Sequence, residues 1–164
     1  MTKKILLGLC VLGSFFSFGQ ANIGAARNLA IGQTVTVRGV ATNGPELGAI
    51  RYIQDGTGAI PAYGSNLSSV LRGDSVEVTG VLYDYNGLLE ISPTNSFQAL
   101  GASTTPTALP LPISNVGEAY EAQLLRFDNV TFTQTGTFAG NTNYTVTDGT
   151  NTLQVRATTG TNLV

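Results

Sequence analysis

The sequence predicts an all-β protein, made of one closed five-stranded barrel followed by a second, incomplete copy of the same module. From residue 33 onward, β-branched residues alternate with polar ones, and Gly, Asn or Asp turns recur roughly every ten residues. One pattern also occurs twice. A strand, a loop and a tight turn between apolar residues occupy residues 35–63 and again residues 125–156. Repetition at this distance predicts two copies of one small β module.

The N-terminus has the pattern of a secretory signal peptide. Lys3 and Lys4 precede an apolar stretch at residues 5–18, and small residues follow near position 20. The stretch is too short to cross a membrane comfortably. We therefore expect residues 1–21 to be removed, a secreted or cell-surface location, and no membrane span in the mature chain.

Composition makes an enzyme improbable for this chain. There is no histidine, and the single cysteine, Cys10, lies inside the predicted signal peptide. These absences remove most hydrolytic triads, most zinc sites and the commonest general base. The paired carboxylates come with no nucleophile or base. We predict no catalytic residue, no metal site and no cofactor, so that any catalytic domain would lie beyond residue 164 in a longer parent protein.

The first copy divides into five strands. Strand one, residues 35–40, is interrupted by Gly39, and strands two and three form a hairpin around the Asp-Gly-Thr-Gly turn at residues 55–58. A short helix is predicted at residues 65–71. Strand four, residues 75–82, is again broken by a glycine, Gly80, and an Asn-Gly turn at residues 86–87 joins it to strand five.

The remaining chain predicts a linker and an interrupted module. The first module is assigned to residues 22–98, a Pro/Thr/Ala-rich linker to residues 99–116, and a truncated module with strands one to three only to residues 117–164. Three strands cannot close a barrel. We expect the first module to be well packed and the second to expose more apolar surface, as in a fragment of a longer chain.

The first copy resembles the OB-fold, and more narrowly the OB-type modules near the N-termini of exported bacterial proteins, including those attached to extracellular nucleases and phosphoesterases. The residues that carry the resemblance are 32–40, 53–58, 73–80 and 85–91. The resemblance implies a five-stranded Greek-key barrel that binds ligands across strands two and three. The loops at residues 42–48 and 83–87 would flank that face. It also implies a non-catalytic module, with single-stranded nucleic acid as the ligand.

Six residues are candidates for ligand contact on that face. Aromatic side chains could stack on a ligand and arginines could anchor an anion; the candidates are Tyr52, Tyr63, Tyr83, Tyr85, Arg38 and Arg51. The tyrosines could instead only pack across strands, and the arginines could pair with Glu77 or Glu90.

Three hypotheses stay open at this stage. Without residues 1–21 the chain has six arginines, no lysine and ten acidic residues, a formal charge of −4. Nucleic-acid binders usually carry a basic surface, so this charge counts against a nucleic acid. A glycan suits aromatic platforms and low charge better. The third hypothesis is a structural spacer or assembly module with no ligand, in contact with further domains of a longer protein.

Overall fold

The computed structural model describes residues 20–160. Residues 1–19 of the predicted signal peptide lie outside this range, so its removal stays a prediction. Among the described residues, no helix is long and apolar enough to cross a membrane.

Five strands form a closed barrel. They are β1 (Thr34–Ala41), β2 (Ile50–Gln54), β3 (Ala59–Tyr63), β4 (Asp74–Tyr85) and β5 (Leu88–Ala102). The order around the barrel is β1-β2-β3-β5-β4, with β4 pairing back to β1. All pairs are antiparallel except β3 with β5. This is the strand order of the OB-fold, and the predicted all-β, five-stranded Greek-key barrel is confirmed.

One apolar core fills the barrel. Alternate residues of each strand point inward, as Val35 and Val37 do on β1 and Val76 and Val78 on β4, all at most 3 % exposed. A single-turn helix, α1 (Ile23–Ala26), adds Ile23 and Ala26 to this core. The helix predicted at residues 65–71 is a 3-10 turn, Ser65–Ser69, that buries Leu67.

Two glycines allow the long strands to bend, as the sequence predicts. A Cβ on Gly80 would lie 2.5 Å from both the Ile91 side chain and the Pro93 carbonyl oxygen, and the β4–β5 register shifts at this residue. A Cβ on Gly39 would lie 2.7 Å from the carbonyl oxygen of Gln54. Because larger residues do not fit there, both positions require glycine.

The chain after the barrel forms a smaller unit with two short sheets. Strands β6 (Leu109–Pro110) and β7 (Leu125–Arg126) pair in parallel. The other sheet holds β8 (Thr131–Phe132), β9 (Thr142–Thr147) and β10 (Thr152–Ala157) in the order β10-β9-β8. The strand predicted at residues 125–130 is broken, since Asn129 has a φ of 55° and Asp128 pairs with Arg126.

The last barrel strand is longer than predicted. β5 continues to Ala102, where it pairs with Asp74 of β4, so residues 99–102 belong to the barrel and not to the linker. The two long partners extend each other because every added residue gains a ladder hydrogen bond. The assignment of residues 117–164 to a second OB copy stays a prediction.

Burial differs between the barrel and the smaller unit in the expected direction. The barrel buries a cluster of apolar residues from Ile23 to Ile91. Within β7 to β10, only Val146 and Ala157 are buried. Within the described residues, the barrel is therefore better packed than β7 to β10, and the division of the chain into two modules stays a prediction.

Polar contacts fasten the start of the smaller unit to the barrel. Arg27, which follows α1, donates from Nη2 to Glu121 Oε2 at 2.8 Å and from Nη1 to the carbonyl oxygen of Ala59 at 3.0 Å. The backbone N–H of Leu124 donates to Gln54 Oε1 at 2.9 Å. These contacts, which we call the fastening, lie at the turn between β2 and β3.

Candidate ligand-binding groove

A groove of about 540 Å³ opens between the β1–β2 loop and the β4–β5 hairpin. This is the position at which the OB-fold carries its ligands. We call it the tyrosine groove, because three tyrosines line it together with three aliphatic side chains and two polar ones. Its lining residues are Tyr63, Tyr83, Tyr85, Leu47, Ile50, Leu88, Glu90 and Ser92.

Strand register brings the tyrosines together. Tyr83 lies opposite Glu90 and Tyr85 opposite Leu88 in the β4–β5 pair, so all four side chains share the outer face. Their neighbours Leu82 and Ile91 face the core. The Asn86-Gly87 turn holds this hairpin, with φ values of 55° and 92°, as predicted.

The third tyrosine comes from the neighbouring part of the sheet. Tyr63 ends β3 and lies opposite Ile50 of β2. Tyr63, Tyr83 and Tyr85 are 51 %, 48 % and 57 % exposed. Side chains this exposed add little to the core, and their ring faces are open to a ligand.

Glu90 is the charged side chain of the groove. The residue is only 5 % exposed, and burial raises the pKa of its carboxyl group, although a hydrogen bond from Ser92 acts in the opposite direction. None of the ion pairs within residues 20–160 includes Glu90. The sequence marks Glu90 as a partner for an arginine and as half of a carboxylate pair with Asp84, but not as a residue of the groove. Glu90 lies two residues after Leu88 on β5, and this spacing along a strand places both side chains on the same face.

Arg38 lies outside the tyrosine groove. Its Nη2 donates to Glu77 Oε2 at 2.9 Å, and the two residues are opposite each other on β1 and β4. The alternative that the sequence left open, pairing with Glu77, is what the structure shows.

Arg51 is fully buried, which corrects its interpretation as an anchor on the surface. Its guanidinium donates from Nε to the carbonyl oxygen of Val70 at 2.9 Å and from Nη1 to that of Gly48 at 2.7 Å. Further bonds go to the carbonyl oxygens of Ile50 and Ser68. Burial lowers the pKa of Arg51, and the negative charge of Glu46 opposes this. Inward and outward side chains alternate along β2, and this alternation places Arg51 on the same inward face as Ile53. It is the sequence signal that predicts the burial of Arg51.

Tyr52 lies in a different depression from the other tyrosines. Its neighbours there are Asn43, Leu47 and residues 122–124 of the smaller unit, in a volume of about 270 Å³. Burial raises the pKa of its hydroxyl, and the negative charges of Glu90 and Glu121 add to this. Leu47 lines both depressions, so it separates Tyr52 from the tyrosine groove.

The two Asp-Gly turns are held by hydrogen bonds within the turn. Asp55 Oδ1 accepts from the N–H of Thr57 at 2.7 Å, and Asp148 Oδ1 accepts from that of Thr150 at 2.9 Å. In residues 20–160, no three His, Cys, Asp or Glu side chains cluster in a way that could hold a metal ion.

Comparison with known proteins finds only distant structural similarity. No protein-family model and no curated protein matches the sequence. Among solved structures, the hypothetical protein ygiW from E. coli aligns with a TM-score of 0.43 and 19 % identity, over 49 % of this chain and 89 % of that one.

The asparaginyl-tRNA synthetase of Entamoeba histolytica aligns with a TM-score of 0.42 and 22 % identity, over 52 % of this chain. The alignment spans 24 % of the synthetase. The assignment of the barrel to the OB-fold rests on its own strand order and register.

Proposed function

We propose that this chain is a non-catalytic, ligand-binding OB module of an exported bacterial protein, and that its ligand is a glycan bound in the tyrosine groove. The observation that carries the proposal is the presence of three half-exposed tyrosines around one cavity at the OB ligand position. The volume lies within the range of about 300–1,000 Å³ that is typical of small-ligand sites.

Charge favours a glycan over a polyanion. Arg38 is paired with Glu77 and Arg51 is buried, so neither is free to neutralise a phosphate in the groove. Glu90 would repel a phosphate placed near it, and like charges brought together at an interface are costly. A neutral sugar ring needs only a flat aromatic surface and hydrogen-bond partners.

The test is a glycan array followed by calorimetric titration of any hit. We expect Tyr83→Ala with Tyr85→Ala to weaken binding at least about tenfold, because the variant removes two rings and with them the apolar surface that a sugar would bury. Leu71→Ala is the matched control, since Leu71 is 56 % exposed but does not line the groove. Unchanged affinity in the double variant would contradict the proposal.

Single-stranded nucleic acid is the second candidate, in which case the module would assist a nuclease or phosphoesterase domain in the same protein. The same three tyrosines support it, because stacking tolerates any base. Fluorescence anisotropy with labelled oligothymidine at low salt tests it. Binding that falls steeply with added salt would favour the nucleic acid. If neither ligand binds and the tyrosine variants lose only stability, the module acts as a spacer.

Export is a separate part of the proposal and rests on the N-terminal sequence. Expression of the full chain in a bacterial host, followed by N-terminal sequencing of the exported protein, tests it. We expect a mature start near residue 22. Retention of residues 1–21 on a cytoplasmic protein would contradict export.

A further inference from the structure

The tyrosine groove contains a carboxylate, that of Glu90, which forms no ion pair with any residue between 20 and 160. Glu90 lies directly opposite Tyr83, and Ser92 shares its strand face. Tyr63 and Tyr85 complete the aromatic surround. With Glu90 only 5 % exposed, water solvates this carboxylate mainly from the groove side.

Both features of this site attract a positive group. A carboxylate that is withdrawn from water gains most from a cation that restores its lost solvation. The ring faces of tyrosine also carry negative electrostatic potential, and a cation within about 6 Å of a ring centre is attracted to it. An ammonium group at Glu90 would satisfy the carboxylate and contact a ring at the same time.

The tyrosines also limit the shape of the ligand. Three open rings around one cavity offer more flat surface than a single alkylammonium side chain can cover, whereas successive sugar rings can use all of it. A sugar that carries a primary amine combines the ring and the charge.

We infer that the groove binds an amino sugar with a free ammonium group, with the ammonium at Glu90 and the sugar rings on Tyr63, Tyr83 and Tyr85. This inference rests on the proposed function, since it specifies which glycan the groove selects. It makes Glu90 the residue that determines specificity and the tyrosines a general platform.

The experiment is calorimetric titration of the full chain with three tetrasaccharides at pH 6. These are the β-1,4-linked tetramers of glucosamine, N-acetylglucosamine and glucose. We expect the glucosamine tetramer to bind at least about tenfold more tightly than the other two, since a hydrogen bond between charged groups is stronger than one between neutral groups.

The variant Glu90→Gln keeps the side-chain shape and removes the charge. We expect it to lower the affinity for the glucosamine tetramer to that of the other two tetramers, and so to abolish the preference for glucosamine. Glu77→Gln is the matched control, because Glu77 pairs with Arg38 and does not line the groove. A thermal melt of each variant confirms that it is folded.

The other outcomes separate the inference from the function on which it rests. Equal binding of all three tetramers, or a preference that survives Glu90→Gln, would overturn the amino-sugar inference and leave glycan binding intact. Failure of every tetramer to bind while oligolysine binds would overturn both, and would assign the groove to a basic peptide.

Discussion

The β2–β3 hairpin of the barrel and the β9–β10 hairpin of the smaller unit have turns of equal length in different surroundings. Ile53 pairs with Ile60 in the first, and Val146 pairs with Leu153 in the second. In each turn the N–H of the aspartate donates to the carbonyl oxygen three residues later, at 3.0 and 3.3 Å. The two similar sequences therefore close their turns with the same hydrogen bonds, although Gly149 has a φ of 94° and Gly56 does not have a positive φ.

The two turns differ in what they hold. Asp55 Oδ2 accepts from the N–H of Ile23 at 2.9 Å, and Thr57 Oγ1 accepts from that of Gly24, so the first turn binds the start of α1. The second oxygen of Asp148 accepts instead from the side chain of Asn151 in its own turn. Local chemistry determines the turn, and tertiary contacts determine whether the turn becomes part of a core.

The strands beside the turns differ in the same way. Counted from the turn, Tyr144 of β9 matches Arg51, and Arg156 of β10 matches Tyr63. Tyr144 packs edge-on against Phe138, with 4.7 Å between the two ring centroids, in a small aromatic cluster that includes Phe132. The buried arginine and the groove tyrosine are thus specific to the barrel.

The largest expected effect comes from replacing Arg51. Arg51→Met keeps most of the side-chain volume but removes the guanidinium that donates to four backbone carbonyl oxygens. The carbonyl oxygen of Ile50 keeps its bond from Asn43 Nδ2. We expect the free energy of unfolding in urea to fall by about 2–4 kcal/mol, because unsatisfied buried polar groups are costly. Tyr144→Leu at the matching position is the control and should cost less. Equal losses would show that the two hairpins are equally embedded.

The turn aspartates give the next largest difference. Asp55→Ala removes the turn hydrogen bonds and the contact that holds α1, and we expect the free energy of unfolding to fall by about 2 kcal/mol. Asp148→Ala removes only bonds within its own turn, so its effect should be clearly smaller. Thermal melts of both variants measure this, and a reversed order would contradict the assigned role of α1.

Placing the β10 residue at the matching position of β3 tests whether Tyr63 contributes to binding in the groove. Tyr63→Arg places at the end of β3 the residue that β10 has at the matching position. Because Tyr63 is 51 % exposed, we expect a change in unfolding free energy of about 0.5 kcal/mol or less. Glycan affinity should fall several-fold in the same calorimetric assay. Retained affinity would remove Tyr63 from the binding surface.

The smallest effect is a dependence of stability on pH. Burial raises the folded-state pKa of Glu90 above its unfolded value of about 4.3. The contribution of Glu90 to stability is therefore fully present below a pH of about 4.3, and it is lost as the pH rises through the folded-state pKa. Glu90→Gln should therefore stabilise the protein slightly at pH 7 relative to pH 4. Urea unfolding at the two pH values measures this, and the opposite sign would show that Glu90 has a cationic partner.

The sequence predicts best those features that depend on residues close together in the chain. Asn86-Gly87 acts through its own backbone, so the turn type follows from residue type. Gly39 and Gly80 interrupt the alternation of their own strands, so the sequence locates both bends, although the atoms that exclude a Cβ come from other strands. The tyrosines of the β4–β5 hairpin were also found together, because alternation along one strand fixes their common face.

The remaining features depend on contacts distant in sequence. Burial of Arg51 needs the carbonyl oxygens of residues 68 and 70, which come from another part of the chain. Tyr52 is separated from the groove by Leu47 and approached by residues 122–124. The extension of β5 to Ala102 depends on pairing with the start of β4. No local pattern contains this information.

The fastening at the β2–β3 turn has a mechanical consequence. The fastening contacts the barrel at Gln54 and Ala59. The groove is lined by Ile50 and Tyr63, at the other end of the same two strands. At 3.3 Å per residue, the two ends are roughly 13 Å apart.

We expect tension applied through the smaller unit to reach the barrel at Ala102, where the chain leaves β5, and at the fastening, and to reach the groove only through Leu47. The module would then keep its hold on a polymer under load, and single-molecule pulling with and without Arg27→Ala would measure this.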